Sequence, residues 1–353
     1  MNLWEKNIRK VVPYIPGEQP NKSSVIKLNT NENPYPPAPG VRKAKRDFDT
    51  DLLKRYPDPE NTVLVKALEE YYRLDEGQVF VGVGSDDVLA MAFMTFFNAE
   101  KPILFPDVTY SFYPVWAELF KIPYETQRLD ENYRLVPEDY HQENGGIIFP
   151  NPNAPTGIYE PLDRIEDILK QNQDVIVIID EAYIDFGGES ALPLLNEYDN
   201  LLIVQTFSKS RSMAGMRIGY AMGSKQLIKA LNDVKYSFNS YTMNQTALYL
   251  GVEAIKDDEY FKKTIERIVA TREEAKRRLK ALGFHCLDSK TNFIFATHPD
   301  REASELSEAL KTADIYVRHF KAPRTKNYLR ISIGTDQEME QLYDFLERLL
   351  DEK

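Results

Sequence analysis

A single cysteine, Cys286, excludes an intramolecular disulfide and a cysteine-based zinc cluster. Positive charge is also short. The 44 Lys and Arg against 55 Asp and Glu leave a formal net charge of −11, which argues against nucleic acid or an anionic membrane surface as a partner. A local basic pocket remains compatible with that balance. No apolar run approaches the ~18 residues that span a bilayer, and MNLWEKNIRKVVPYIPG has no apolar core of a signal peptide. Internal repeats and low-complexity linkers are missing as well. The expectation is a soluble, cytoplasmic protein without a metal site. Its 353 residues suffice for two domains, or for one large α/β domain with a smaller companion.

What is present falls into an ordered pattern. Residues 13–40 are rich in Pro and Asn (VPYIPGEQP, NTNENPYPPAPG), which favours an extended arm or loop over a helix. TVLVKALEEYYRL then reads as an amphipathic helix and QVFVGVG (78–84) as a strand. SDDVLAMAFMTFF follows as a helix, with Ser85 or Asp86 suited to cap it. Further strands are expected at 101–105, 145–149, 174–180, 201–207 and 216–222, separated by helices such as TYSFYPVWAELF and PLDRIEDILKQN. Wholly apolar strands alternating with helices imply a mainly parallel sheet covered on both faces. After a long helical region, NFIFATH, IYVRHF and YLRISIG alternate with helices as in a smaller α+β unit. The resulting division is an arm over 1–40 joining the small unit, a large domain over 41–245, a connecting helix over 246–280 and a small domain over 281–353.

In an open parallel sheet, ligands bind beyond the carboxyl ends of the strands. There the sequence places Ser85 and Asp86 at a helix start, then Tyr110, then Asn153 in PNPNAPTG. Asp180 and Tyr183 follow DVIVI, Thr206, Ser208 and Lys209 follow LLIVQ, and Arg217 opens the next strand. Each has an ordinary structural reading alone: a cap, a packed ring, an Asx turn or a solvated cation. Together they supply a phosphate cradle, a carboxylate, a phenol, an amide, a flat ring and an amine. Pyridoxal phosphate requires that inventory: a lysine for covalent attachment, an acid that keeps the ring nitrogen protonated, and an anchored phosphate. Lys209 is then the anchor and a proton-transfer base, and Asp180 holds the ring nitrogen. Asn153 and Tyr183 meet the phenolic oxygen, Tyr110 stacks on the ring, and Ser208, Arg217 and the N–H groups near Ser85 and Asp86 hold the phosphate.

The motifs GVGSDD, FPNPNAPTG, IIDEAYIDF, TFSKSRSMAGMRIGY and LRISIGT occur in that order. In these residues the chain resembles a fold-type I, pyridoxal-phosphate-dependent aminotransferase over nearly its whole length. LNTNENPYPP and RYPDPENTVLVKAL narrow the resemblance to the histidinol-phosphate aminotransferase family. That likeness implies a homodimer in which Tyr56 reaches the cofactor phosphate of the neighbouring subunit. It implies that Arg330 and Arg318 bind the anionic ends of the substrates, with Tyr14 closing over them. The implied reaction exchanges the amino group of L-histidinol phosphate with 2-oxoglutarate, in histidine biosynthesis. SFNSYTMNQ departs from the family's FNxN form, leaving the role of Asn239 open, and FKAPRTKN adds Arg324 in a variable loop.

Rival readings on the same scaffold are an aromatic-amino-acid aminotransferase and a threonine-phosphate decarboxylase. A non-enzymatic regulator that binds the cofactor would normally carry a DNA-binding domain, for which there is neither length nor a basic helix-turn-helix. A nicotinamide-linked dehydrogenase would need a third glycine in GVGSDD and would not need Lys209.

Overall fold

The computed structural model describes residues 2–20, 22 and 24–351. Met1, Asn21, Ser23, Glu352 and Lys353, within the expected arm and small domain, lie outside the described residues. The chain enters through an extended arm that includes a short strand, β1 (Ile26–Leu28). A seven-stranded sheet follows, built from β2 (Val79–Gly82), β3 (Ile103–Pro106), β4 (Tyr124–Gln127), β5 (Ile147–Pro150), β6 (Val177–Asp180), β7 (Leu201–Thr206) and β8 (Gly219–Gly223). Its order is β2-β8-β7-β6-β5-β3-β4, and β8 alone runs antiparallel to its neighbours β2 and β7.

The central strands are apolar at every position because both faces are covered. Successive residues alternate between two cores. Ile147, Phe149, Val177, Ile179, Leu201 and Ile203 face one, packed with Leu64 and Leu68 of α2 (Thr62–Tyr72) and Ile165 of α5 (Leu162–Gln171). Ile148, Ile178, Leu202 and Val204 face the other, with Leu89 and Phe93 of α3 (Ser85–Phe96) and Trp116 of α4 (Phe112–Phe120). A third core lies under a second sheet of order β1-β11-β12-β10-β9, where β9 is His285–Cys286, β10 Phe293–Thr297, β11 Ile315–His319 and β12 Leu329–Ser332. β1 adds to its edge, parallel to β11, in the register Ile26 to Ile315.

Four local expectations need correction. β4 (YETQ) has no apolar run and was not foreseen; it is an edge strand with partly exposed polar side chains, held by parallel pairing to β3. The connecting helix is two helices, α7 (Gln245–Lys256) and α8 (Asp258–Ala281). Asp257 separates them, and its side chain caps the second by accepting from the Tyr260 N–H at 3.1 Å. Neither Ser85 nor Asp86 caps α3; Gly84, at φ +85°, holds the N-cap position with no side-chain cap bond. Arg217 does not open β8, which starts at Gly219; it sits in the left-handed region at φ 53°.

One buried cation links the two sheets. Arg272 of α8 is 1 % exposed and donates from Nη1 to the carbonyls of Phe186 at 2.7 Å and Thr291 at 2.9 Å. Phe186 belongs to the segment after β6, and Thr291 precedes β10. Arg272→Met keeps the stem but leaves both carbonyls without their donor. It is expected to destabilise the fold by about 2–4 kcal/mol, read as a lower urea midpoint.

Candidate active site

All the parallel strands end at one edge of the large sheet, and a cavity of ≈ 110 Å³ opens there. Ser85, Asp86 and Tyr110 form one wall, and Asp180, Ala182 and Tyr183 another. Ser208, Lys209 and Arg217 complete it. Most of the residues expected from the strand ends therefore meet.

Asp180 is the last residue of β6 and only 5 % exposed. Burial lifts its pKa from 3.8 to about 6. Hydrogen bonds from the Tyr113 hydroxyl to Oδ2 and the Ala182 N–H to Oδ1, each 3.1 Å, work against that rise, as does the charge of Lys209. At neutral pH the group is thus a dry, oriented carboxylate suited to a cationic N–H donor. Tyr113 went unnoticed in the sequence because it sits in a helix of apolar and aromatic residues, indistinguishable from core packing. Glu181 faces another network. Burial raises it to about 7, and its carboxylate receives the Ser190 hydroxyl, the Ala191 N–H and the Gln205 amide.

Lys209 follows the end of β7. Its Nζ donates to the Thr30 carbonyl at 3.3 Å and lies 5.6 Å from the Tyr183 ring centre. No carboxylate lies within ion-pair distance of it among the described residues. Asn33 donates to the carbonyls of Lys209 and Ser210, both at 3.1 Å, and Asn31 donates to the Tyr183 oxygen at 2.9 Å. Neither asparagine was singled out from the sequence, where NTNENP reads as a turn-rich loop.

The fourth side is an anion cradle. Arg217 reaches Asp86 Oδ2 at 3.2 Å and Ser208 Oγ at 3.4 Å, and Tyr110 donates to Asp86 Oδ1 at 2.7 Å. Thr206 stands behind, its Oγ1 3.0 Å from Ser208 Oγ and accepting the Ser208 N–H at 3.1 Å. The start of α3 approaches β8 so closely that a Cβ on Gly219 would lie 2.2 Å from the Gly84 carbonyl carbon. Only glycine permits that contact, which sets the free N–H groups of α3 beside the Arg217 guanidinium.

The remaining candidates lie around this centre. Asn153 is buried and donates to the Val108 carbonyl and the Thr156 hydroxyl, both at 3.0 Å, while its Oδ1 has no hydrogen-bond partner among the described residues. Arg318 and Arg330 are register partners on β11 and β12. Neither has a carboxylate partner among the described residues. Arg330 donates to the Asn29 carbonyl at 3.0 Å, and Arg318 to those of Ile15 and Pro16. Burial, and secondarily the neighbouring Arg318 charge, lowers the Arg330 pKa. Tyr14 stacks on Phe112 with ring centres 4.1 Å apart. Tyr56 is 81 % exposed and touches Tyr241, outside the cavity of its own chain. Arg324 has a structural place: it grips Asp107 at 2.7 and 3.0 Å and the Asp130 carbonyl at 2.8 Å. Asn239 is exposed at the end of α6 (Lys225–Phe238).

Residues 23–346 match the family described as aminotransferase class I and II. A curated relative, histidinol-phosphate aminotransferase of Lactococcus lactis subsp. cremoris (strain MG1363), is 52% identical over 350 residues, 99% of this chain and 98% of its own. The chain belongs to the histidinol-phosphate aminotransferase family. Solved structures agree on the fold. The histidinol-phosphate aminotransferase from Clostridium acetobutylicum gives a TM-score of 0.86 at 22% identity, covering 93% of this chain and 100% of that one. The enzyme from Sinorhizobium meliloti, in complex with pyridoxal-5'-phosphate, gives 0.85 at 24% identity over 92% and 91%. The aminotransferase is thus an α/β protein of fold-type I.

Its buried acid makes stability depend on pH with a definite sign. Because the folded pKa of Asp180 lies above the unfolded 3.8, the folded state holds the extra proton between about pH 4 and 6. Stability from this group falls as pH rises through that window. An amide keeps an acceptor for the Ala182 N–H and a donor for Tyr113, but carries no charge. In ligand-free aminotransferase, Asp180→Asn is expected to be more stable relative to the parent at pH 8 than at pH 4, by about 2 kcal/mol. Urea unfolding at the two pH values measures the difference.

Proposed function

We propose that the aminotransferase moves the amino group between L-histidinol phosphate and 2-oxoglutarate, giving imidazole acetol phosphate and glutamate, with pyridoxal phosphate as cofactor. The carrying observation is Lys209, an amine without a carboxylate partner among the described residues, sharing one cavity with a buried Asp180 and the Arg217–Ser208 anion cradle. The substrate comes from the relative that is 52% identical along 99% of the chain. The residues fit the cofactor: an amine, a buried acid and an arginine–serine pair line one cavity, and the buried Asn153 Oδ1 beside them has no hydrogen-bond partner among the described residues.

When bound, pyridoxal phosphate supplies an electron-withdrawing ring that stabilises negative charge at the substrate's α carbon. The chain's own groups do the rest. Asp180 keeps a proton on the ring nitrogen, and the Tyr113 hydroxyl holds that carboxylate in place. Lys209 would anchor the cofactor, and its Nζ is the base placed to move the α proton. The Tyr183 hydroxyl would meet the phenolic oxygen with Asn153 beside it, and Tyr110, tethered to Asp86, would lie over the ring face. Ser85, Asp86, Ser208 and Arg217 hold the phosphate, with Thr206 orienting Ser208. Arg217 and Tyr110 occupy the Asp86 oxygens, which spares the phosphate a bare negative neighbour.

Arg330 anchors a carboxylate or a phosphate in turn, Arg318 contributes more to the phosphate-bearing substrate, and Tyr14 closes over both. The exposure of Tyr56 supports its donation to a second copy's site in a homodimer. No helix among the described residues is long and apolar enough to cross a membrane. The division into an arm (1–40), a large domain (41–245), a connecting region (246–280) and a small domain (281–353) accompanies this reading.

A panel of amino donors with 2-oxoglutarate tests the substrate: histidinol phosphate is expected to outpace aromatic amino acids and threonine phosphate. Borohydride treatment is expected to fix the cofactor's mass on the Lys209 peptide, and a label on another lysine would refute the site. Arg330→Ala is expected to slow both half-reactions by about 2–5 kcal/mol, since it strips a buried anion of its charged partner. Arg318→Ala is expected to slow the histidinol-phosphate half more. Single-turnover rates of each half separate the two. A glutamate half-reaction untouched by Arg330→Ala would exclude a shared anchor.

A further inference from the structure

The arm segment 29–33 makes contact with the site at nearly every residue. Asn29 and Thr30 offer carbonyls to Arg330 and Lys209, and Asn33 binds the backbone at Lys209 and Ser210. Asn31 is different, because its side chain acts on another side chain. It is 1 % exposed and sits at φ 55°, a left-handed conformation that asparagine tolerates better than most residues. The Asn292 amide donates to its carbonyl at 2.9 Å. The Asn31 N–H donates to Ser332 Oγ at 2.9 Å, and the Ser332 hydroxyl donates back to Asn31 Oδ1 at 3.0 Å.

That exchange fixes the amide's orientation. A serine hydroxyl has one proton. Since Ser332 receives the Asn31 N–H and gives its own proton to Oδ1, the NH2 end is left facing Tyr183, 2.9 Å from the phenol oxygen. Tyr183 therefore accepts from Asn31, and its own proton has no acceptor among the described residues. The phenol lines the cavity. With the amide reversed, Tyr183 would spend its proton on Asn31 and offer a ligand only lone pairs.

We infer that Asn31 is a positioning residue that turns the Tyr183 hydroxyl proton into the cavity, toward the phenolic oxygen of the bound pyridoxal ring. This rests on the cofactor reading above. A donated proton stabilises the anionic form of that oxygen and so lowers the pH at which the bound chromophore deprotonates.

The test is a pH titration of the visible absorption of cofactor-loaded protein, for the parent, Asn31→Asp and Asn31→Gly, each with and without Tyr183→Phe. An ionised aspartate only accepts, so it captures the Tyr183 proton. The midpoint is expected to rise by about one pH unit or more in Asn31→Asp. In the Tyr183→Phe background the same change is expected to act at least about threefold more weakly on the titration constant. Equal shifts in both backgrounds would reveal a bare charge effect and overturn the role, as would no shift. Asn31→Gly keeps the left-handed backbone without a side chain, so it decides the matter if Asn31→Asp fails to fold. Its midpoint is expected to rise with Tyr183 present and not with Phe, and an unmoved midpoint would overturn the role. A parent that takes up no pyridoxal phosphate would overturn the cofactor reading and this inference together. A loaded parent with unmoved variants would overturn the role of Asn31 alone.

Discussion

Keeping Asp180 charged at the end of a fully buried strand is the constraint around which the site is arranged. Bulk water would do this at no cost, but Asp180 is only 5 % exposed, and burial raises the acid, to about 6 even against the groups that oppose the rise. The protein answers with fixed dipoles: the Tyr113 hydroxyl, the Ala182 N–H and, further off, the Lys209 charge. Each of these exists because the sheet is parallel and covered on both faces. α4 crosses one face and brings Tyr113 beneath the strand end, while β7, next to β6, ends where Lys209 must emerge. The stability lost to a dry carboxylate is the counterpart of its readiness to hold a cation.

A second dependence runs through the arm. A parallel sheet can present groups only from its own strand ends, so the side of the cavity away from the sheet needs chain from elsewhere. Residues 29–33 supply it, linking Arg330 on β12, Tyr183 after β6 and Lys209 after β7 through one short stretch. Arg272 reinforces the same junction from α8. Arg330 and Lys209 thus share a backbone segment that neither sheet contains.

Much of this was legible in the sequence, for a physical reason. Strands buried on both faces write themselves as unbroken apolar runs, and the polar residues that close each run collect at one sheet edge; Asp180, Ser208 and Lys209 were visible on that basis. β4 was not, because an edge strand is specified by its partner's hydrogen bonds rather than by its own YETQ. Arg217 was assigned to a strand because its apolar neighbours continue the pattern, whereas the structure uses a left-handed turn to aim it at Asp86 and Ser208. Tyr113 and Asn31 are invisible in one dimension. One looks like core and the other like a loop, and only the contact at 67 or 152 positions' separation gives either a role. Arg324 looked like a spare charge on a variable loop until Asp107 was found beside it.

The pairing of β1 with β11 joins Ile26 to Ile315. Closing so long a loop adds little entropy beyond what a loop half its length would require, since the cost grows only with the logarithm of length. Its timing is another matter. During synthesis the arm leaves the ribosome early and has no strand to pair with until β11 emerges near the chain's end. The strand pairing that helps to hold Thr30 over Lys209 therefore waits until residues near 315 have been made.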